Sequence, residues 1–119
     1  MRDQYKRQVD LLLQVLPEVA KEDCFALHGG TAINLFVREM PRLSVDIDLT
    51  YIPIEDRQTS LENISTALIR IKGNVEKAIP KAFIIHQSAD SKLQISNQGA
   101  QIKIEVNSIN RGVKKHFLL

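Results

Sequence analysis

The stretch Arg42-Leu-Ser-Val-Asp-Ile-Asp-Leu49 alternates polar and apolar residues and runs on into β-forming residues, so we predict a strand from Val45 to Ile52. Successive side chains of a strand point to opposite faces, which places Asp46 and Asp48 on one face and their apolar neighbours on the other. Two adjacent carboxylates repel each other unless a proton or a cation lies between them, and hard divalent cations prefer oxygen ligands. The pattern therefore indicates a metal-binding strand face, with a solvated acidic face as the alternative.

A glycine turn precedes this strand. The short apolar run from Cys24 to Leu27 is predicted as a strand, and Gly29-Gly30-Thr31 as a tight turn that leads into a helix from Thr31 to Glu39. Glycine lets the backbone approach a ligand closely, and the N-terminus of a helix offers free N–H groups that favour phosphate. Gly29, Gly30 and Thr31 are therefore candidate phosphate-binding residues, with a plain turn and helix cap as the alternative.

Two further pairs of polar residues are candidates for the same site. Glu105 and Lys103 share one face of a strand predicted from Gln101 to Asn107. If that strand lies beside the one with the two aspartates, Glu105 would join them as a third acid; an ordinary half-exposed strand is the alternative. Arg42 is suited to contact phosphate oxygens and Ser44 to orient a carboxylate, although both also suit a plain loop surface.

The remaining periodicity predicts a mixed α/β (α+β) chain, in which a partly antiparallel sheet is flanked by helices. Apolar residues at three- and four-residue steps predict a helix from Asp3 to about Lys21, with a kink or a new helix start at Pro17. Another helix is predicted from Ser60 to a C-capping Gly73. Two further strands and a hairpin turn are predicted from Phe83 to Gln87, from Leu93 to Ser96 and from Asn97 to Gly99.

Composition places the chain among globular proteins of one domain. Its 119 residues are 44% hydrophobic and 25% charged, and the net charge of +2 is too small to indicate a nucleic-acid binder by itself. The single cysteine, Cys24, lies in apolar surroundings, which predict a buried thiol and not a nucleophile. Neither a signal peptide nor an apolar run long enough to span a bilayer is recognisable. We therefore expect a cytoplasmic protein with no membrane partner.

The motifs are far more specific together than singly. His28-Gly-Gly-Thr-Ala-Ile33 followed by Arg42-x-Ser-x-Asp-Ile-Asp-Leu49 resembles the AbiEii/AbiGii toxin family of nucleotidyltransferases, which belongs to the DNA polymerase β-like superfamily. The family pattern is Gly-Gly-Thr-Ala-Leu, then Arg-x-Ser-x-Asp-Ile-Asp-Leu, then a later strand with a third acid. Ile33 stands where the family usually has leucine, and Glu105 in Lys-Ile-Glu-Val fits the third acid. The resemblance extends from about Phe25 to Asn107.

The resemblance implies a nucleotidyltransferase-like fold and the Mg²⁺-dependent transfer of a nucleotide from a nucleoside triphosphate to an acceptor, with release of pyrophosphate. Asp46, Asp48 and Glu105 would be the catalytic residues and would hold one or two Mg²⁺ ions. Several relatives act on the acceptor end of transfer RNA and others in the superfamily modify proteins, so RNA or protein is the expected acceptor. A cognate antitoxin protein is the expected partner, in a toxin–antitoxin or abortive-infection system that serves phage defence. The implied nucleotide-binding residues are Gly29, Gly30, Thr31, Arg42, Ser44 and Lys103. For Lys103, a phosphate contact is one role and a plain surface lysine is the alternative.

Members of the family usually continue into a helical second half. The resemblance implies that residues 1–119 form a single catalytic-core domain without that half. Two other hypotheses stay open: a truncated relative that binds nucleotide or a protein partner without catalysis, and an α/β domain in which the motif occurs by chance. Stabilisation by a triphosphate without turnover would indicate the former, and wide separation of Asp46, Asp48 and Glu105 would indicate the latter.

Overall fold

The computed structural model describes residues 2–27, 33–38 and 42–108 of the chain. Within these ranges, two α-helices and six β-strands follow one another, with one short 3-10 helix at Ser88–Asp90. The six strands form a single sheet. The helices and strands are α1 (Arg2–Ala20), β1 (Phe25–Leu27), β2 (Ile33–Arg38), β3 (Arg42–Tyr51), α2 (Arg57–Ala78), β4 (Phe83–Gln87), β5 (Lys92–Asn97) and β6 (Ala100–Ser108).

The sheet is organised around β3. On one side β3 pairs in parallel with β6, and β5 and β4 then follow in antiparallel order. On its other side, β3 pairs antiparallel with β1 through residues 49–51 and with β2 through residues 42–47. The predicted mixed α/β sheet is confirmed, and the strand with the two aspartates has partners on both sides.

Both helices pack on one face of this sheet. Buried apolar residues of β3, β5 and β6 belong to the same core cluster as the buried residues of α1 and α2. In β3, Val45, Ile47 and Leu49 are at most 2% exposed, and they alternate with the half-buried Asp46 and Asp48. The apolar and acidic residues therefore point to opposite faces, as predicted. The face opposite the helices, which carries both aspartates, is called the open face below.

A tight hairpin joins β5 to β6. Asn97 pairs with Ala100, and the two residues between them have positive φ angles, 51° at Gln98 and 85° at Gly99. Positive φ at both central positions is typical of a type I′ turn, whose twist matches that of the flanking strands. The predicted hairpin is confirmed, and its turn determines which residues of β5 lie opposite those of β6.

The helix predicted from Thr31 to Glu39 is wrong over residues 33–38, which form β2. These residues pair with β3 along the whole length of β2. Their apolar side chains recur at steps of three and four, but the segment also alternates through Ile33, Leu35 and Val37. β-Branched residues favour strands when a partner strand lies beside them, so pairing with β3 overrides the local pattern.

α2 is longer than predicted, and Gly73 lies inside it instead of capping its end. The helix begins after Asp56, whose Oδ1 accepts a 2.7 Å hydrogen bond from the backbone N–H of Thr59. This bond lowers the pKa of the Asp56 carboxyl. The buried face of α2 continues past Gly73 from Ile71 to Val75, so packing against the core outweighs the weak helix preference of glycine.

An ion pair fixes the connection between α1 and β1. The Arg70 guanidinium of α2 donates hydrogen bonds to both carboxylate oxygens of Glu22, at 2.7 Å to Oε1 and 3.0 Å to Oε2. Nearby, Cys24 is only half-buried against the core, where the sequence predicted a buried thiol, and this partial burial raises the pKa of the thiol. α1 itself continues through Pro17, so no new helix begins there.

A buried glutamine attaches α1 to β6. Gln8 is fully buried; its Nε2 donates a 2.6 Å hydrogen bond to the carbonyl of Gln101, and its Oε1 accepts a 2.9 Å bond from the Gln101 N–H. The nitrogen and the oxygen of the side-chain amide are thus both used, and the backbone N–H and carbonyl of Gln101 are both satisfied. The hydrogen bonds to the backbone of Gln101 therefore explain why a polar residue, Gln8, lies on the core-facing side of α1.

Replacement of Gln8 by alanine is expected to lower the free energy of unfolding by about 1–3 kcal/mol, because it leaves two backbone groups of Gln101 without partners. Urea denaturation would measure the change, with Gln14→Ala as the control, since Gln14 is an exposed glutamine of the same helix. Equal unfolding midpoints for the two variants would contradict this account of Gln8.

Candidate active site

Asp46 and Asp48 lie two residues apart on the open face of β3, and both side chains are half-buried. The apolar residues that alternate with them are held in the core, so the backbone under the two carboxylates is fixed on one side by packing and on two edges by strand pairing. Oδ1 of Asp46 is buried without a hydrogen-bond partner among the described residues. Burial of a carboxylate oxygen without a hydrogen-bond partner costs free energy. A ligand that bonds to this atom would remove that cost.

The parallel strand β6 brings the other two predicted residues to the aspartates. Asp46 is in register with Lys103, and Asp48 is in register with Glu105. Neighbouring strands lie about 4.8 Å apart, so each pair is adjacent across the sheet. The neighbour relation that the sequence alone left as an assumption is therefore present, and the hypothesis of widely separated acids is not supported.

A pocket of about 240 Å³ lies among these side chains. A larger pocket of about 450 Å³ lies beside the turn between β5 and β6, but the described residues that line it include no carboxylate. The smaller pocket is therefore the better candidate for a metal site. Three carboxylates and two lysines thus converge on one part of the open face. The smaller pocket is lined by Asp46, Asp48, Lys92, Lys103, Ile104 and Glu105.

Lys92 is a pocket residue that sequence reasoning missed. It belongs to β5, where it lies directly opposite Glu105 of β6. No local motif contains Lys92, but the signal was present in the predicted hairpin. With a two-residue turn at Gln98 and Gly99, counting back along β5 reaches Lys92 opposite Glu105.

The residues of the pocket suit a magnesium ion in their chemistry. Mg²⁺ prefers oxygen ligands and is usually held by one or two carboxylates together with substrate phosphates. Asp46 and Asp48 provide those carboxylates, and Oδ1 of Asp46 has no competing partner in the part of the chain that is described. In residues 2–27, 33–38 and 42–108, no group of three or more His, Cys, Asp or Glu side chains is arranged to hold an ion. Asp46 and Asp48 are thus the ligand pair that fits, with Glu105 one strand away.

The other predicted nucleotide-binding residues have different outcomes. Arg42 and Ser44 belong to β3, not to a loop, and they pair with Arg38 and Phe36 of β2. Gly29, Gly30 and Thr31 lie outside the described residues, so their role stays a prediction. The helix that was expected to direct its N-terminus at phosphate is not formed by residues 33–38, which are part of β2.

A mixed sheet with helices on one face and an Asp-x-Asp strand on the other is consistent with a nucleotidyltransferase-like domain. The family model described as "Nucleotidyl transferase AbiEii toxin, Type IV TA system" matches residues 10–116. The chain belongs to this AbiEii nucleotidyl transferase family of toxins. Membership confirms the resemblance drawn from the two motifs, and it implies a cognate antitoxin as partner.

Comparison with curated proteins and with solved structures finds no significant match. Neither described helix is long and apolar enough to cross a membrane. The family match is therefore the finding on which the assignment to a nucleotidyltransferase toxin rests, and the geometry of the open face is the independent observation that agrees with it.

Proposed function

We propose that this chain is a Mg²⁺-dependent nucleotidyltransferase that moves a nucleotide from a nucleoside triphosphate to an RNA or protein acceptor. The observation that carries the proposal is the convergence of Asp46, Asp48 and Glu105 with two lysines around one pocket. Carboxylates attract the metal ion and lysines attract phosphate. The same pocket can therefore bind both the ion and the phosphates of a metal–triphosphate complex.

The residues divide the work by their chemistry. Asp46 and Asp48 would hold the ion through carboxylate oxygens, beginning with Oδ1 of Asp46, which has no hydrogen-bond partner among the described residues. A bound Mg²⁺ supplies charge that offsets the negative charge developing on the pyrophosphate leaving group. Lys103 would contact a phosphate oxygen beside Asp46. Glu105 would accept the proton of the acceptor hydroxyl, because its carboxylate lies beside that of Asp48.

The nucleotide would also contact the segment before β3. Gly29, Gly30 and Thr31 precede β2, and Arg42 and Ser44 begin β3, the same strand that carries the two aspartates. Arginine binds phosphate oxygens through paired N–H groups, and glycine turns admit close approach of the backbone. These residues would position the triphosphate along β3.

The biological setting follows from the family. A nucleotidyltransferase toxin of this kind would act in the cytoplasm on transfer RNA or on a protein, within a toxin–antitoxin system that limits phage infection. The antitoxin would be the protein that prevents this reaction. A truncated relative that binds nucleotide without transferring it remains the competing reading of the same pocket, and the assay below separates the two.

A transfer assay tests the proposal directly. The protein is incubated with each α-labelled nucleoside triphosphate in turn, Mg²⁺ and either total RNA or total protein, and the label is followed into the macromolecular fraction. We expect label from at least one nucleotide to enter one acceptor class and to disappear when EDTA removes the metal. Triphosphate binding without incorporation would support the non-catalytic relative, and transfer that persists in EDTA would contradict the metal requirement.

A further inference from the structure

The strand β4 lies at one end of the sheet. It pairs with β5 on one side, and no strand of the described part of the chain pairs with its other side. The backbone N–H and carbonyl groups that point to that side are therefore open to a further strand. Edge strands are usually protected by charged residues or proline, but β4 reads Phe-Ile-Ile-His-Gln and contains no Lys, Arg, Asp, Glu or Pro. This edge is thus a candidate for strand pairing with another chain.

Two exposed apolar side chains lie along this edge on the open face. Phe83 is 65% exposed and Ile85 is 40% exposed. They alternate with Ile84 and His86 on the face toward the helices, where Ile84 packs against the core. The helices therefore cover one face of β4, and Phe83 and Ile85 lie on the opposite face.

A second copy of the same strand fits this edge. Antiparallel pairing about a two-fold axis at Ile85 would place Ile85 opposite Ile85 of the second copy, and Phe83 opposite Gln87. Phe83 would also be a diagonal neighbour of Ile85 of the second copy, at about 7–8 Å, which is within reach of an aromatic ring. Residues that face each other in a strand pair share one face of the sheet, so a single contact would cover both apolar side chains of each copy.

The charges beside β4 suit the same arrangement. Lys81 lies just before the strand and Asp90 just after it, in the 3-10 helix, and both side chains are exposed. Antiparallel pairing places the start of one β4 beside the end of the other, so Lys81 of each copy would approach Asp90 of the other. Opposite charges at both ends of a contact favour one partner and one register. They therefore favour a second copy of this chain over an unrelated strand.

We propose that this chain forms a two-fold symmetric homodimer in which β4 pairs antiparallel with β4 of a second copy. The two six-stranded sheets would become one continuous sheet, with the helices of both copies on one face and both pairs of aspartates on the other. The strands β3 and β6, which carry the acidic residues, are not part of the contact. The inference is independent of the proposed function, because it uses no residue that lines the pocket of the aspartates.

The mass of the chain in solution tests this inference. Analytical ultracentrifugation over a range of concentrations should show the 13.5 kDa chain converting to a species of twice that mass. Ile85→Lys is expected to raise the dissociation constant of the dimer by about tenfold or more, because two lysines would face each other at the axis. Ile52→Lys is the matched control, since Ile52 is 45% exposed and follows β3, which β6 and β5 separate from β4. Circular dichroism checks that both variants are folded.

A mixture of two variants tests the position of the axis. Ile85→Lys and Ile85→Glu should each be mainly monomeric, whereas an equimolar mixture should recover the doubled mass, because one lysine would then face one glutamate. Hydrogen exchange provides a measurement on the unchanged chain. The amides of β4 should be better protected at high protein concentration than at low concentration, since pairing gives the outward N–H groups a partner.

Three results would contradict the homodimer. A monomer at every concentration would overturn the inference and leave the edge to a strand of a different protein. A dimer that is equally stable in Ile85→Lys would mean that the contact lies elsewhere on the chain. Failure of the mixed variants to recover the doubled mass would contradict the two-fold pairing at Ile85. Nucleotide transfer is measured separately, so the proposed function stands or falls independently of these results.

Discussion

The double substitution Asp46→Asn and Asp48→Asn is expected to reduce nucleotidyl transfer by about a thousandfold or more. Asparagine keeps the size of each side chain but removes the negative charge that attracts a divalent ion. Loss of metal-assisted charge stabilisation costs several kcal/mol of transition-state energy, and about 4 kcal/mol corresponds to a thousandfold change in rate. The labelled-triphosphate assay measures the change, with Asp90→Asn as the control, because Asp90 is exposed in the short 3-10 helix.

The same double variant should remain folded. Removal of two adjacent like charges relieves their repulsion in the metal-free protein, so its melting temperature without Mg²⁺ is expected to be no lower than that of the unchanged chain. Addition of Mg²⁺ with triphosphate should then raise the melting temperature of the unchanged protein only. Full transfer activity in the double variant would refute the assignment of both aspartates to the site.

Leu68→Ala is expected to lower the free energy of unfolding by about 2–5 kcal/mol. Leu68 is 0% exposed on the face of α2 that packs into the core, so its truncation removes buried methyl groups and leaves a cavity. A domain of this size has a total stability of roughly 5–15 kcal/mol, so the change would be a large fraction of the whole. α2 packs on the face of the sheet opposite the aspartates. Leu68→Ala is therefore expected to affect the site only by destabilising the fold.

Ile69 provides the matched control for this experiment. It is the next residue of α2, yet it is 55% exposed, so Ile69→Ala is expected to change the unfolding free energy by about 0.5 kcal/mol or less. Urea denaturation of both variants, followed by circular dichroism, measures the difference. Similar losses from the two substitutions would mean that the described packing of α2 is wrong.

The parts of this structure with strong local signals could be predicted from sequence. The alternation around Asp46 and Asp48 predicted a strand with both aspartates on one face and apolar residues on the other. This was possible because side-chain direction in a strand depends only on residue spacing. The hairpin was predictable because Asn97, Gln98 and Gly99 suit a turn with positive φ angles. The match to the toxin family shows that the joined motifs were specific enough to identify it.

The parts that depend on distant partners were harder to predict. β2 has apolar residues compatible with both helical and strand spacing, and only its pairing with β3 decides between them. Gly73 suggested the end of a helix, but the buried residues after it extend α2 to Ala78. Lys92 escaped notice because its relation to Glu105 depends on strand register, which no motif at Lys92 records.

Parallel pairing between β3 and β6 has a consequence for how the site comes into existence. Asp48 and Glu105 are neighbours in the sheet although nearly half of the chain, including α2, β4 and β5, lies between them. Contacts of such long sequence separation require closure of a large loop and therefore form slowly and late in folding. A nascent chain would carry both aspartates long before it carried a working site. The pocket would form only after β6 has been made and has paired with β3, so the order of synthesis delays assembly of the site until the described fold is nearly complete.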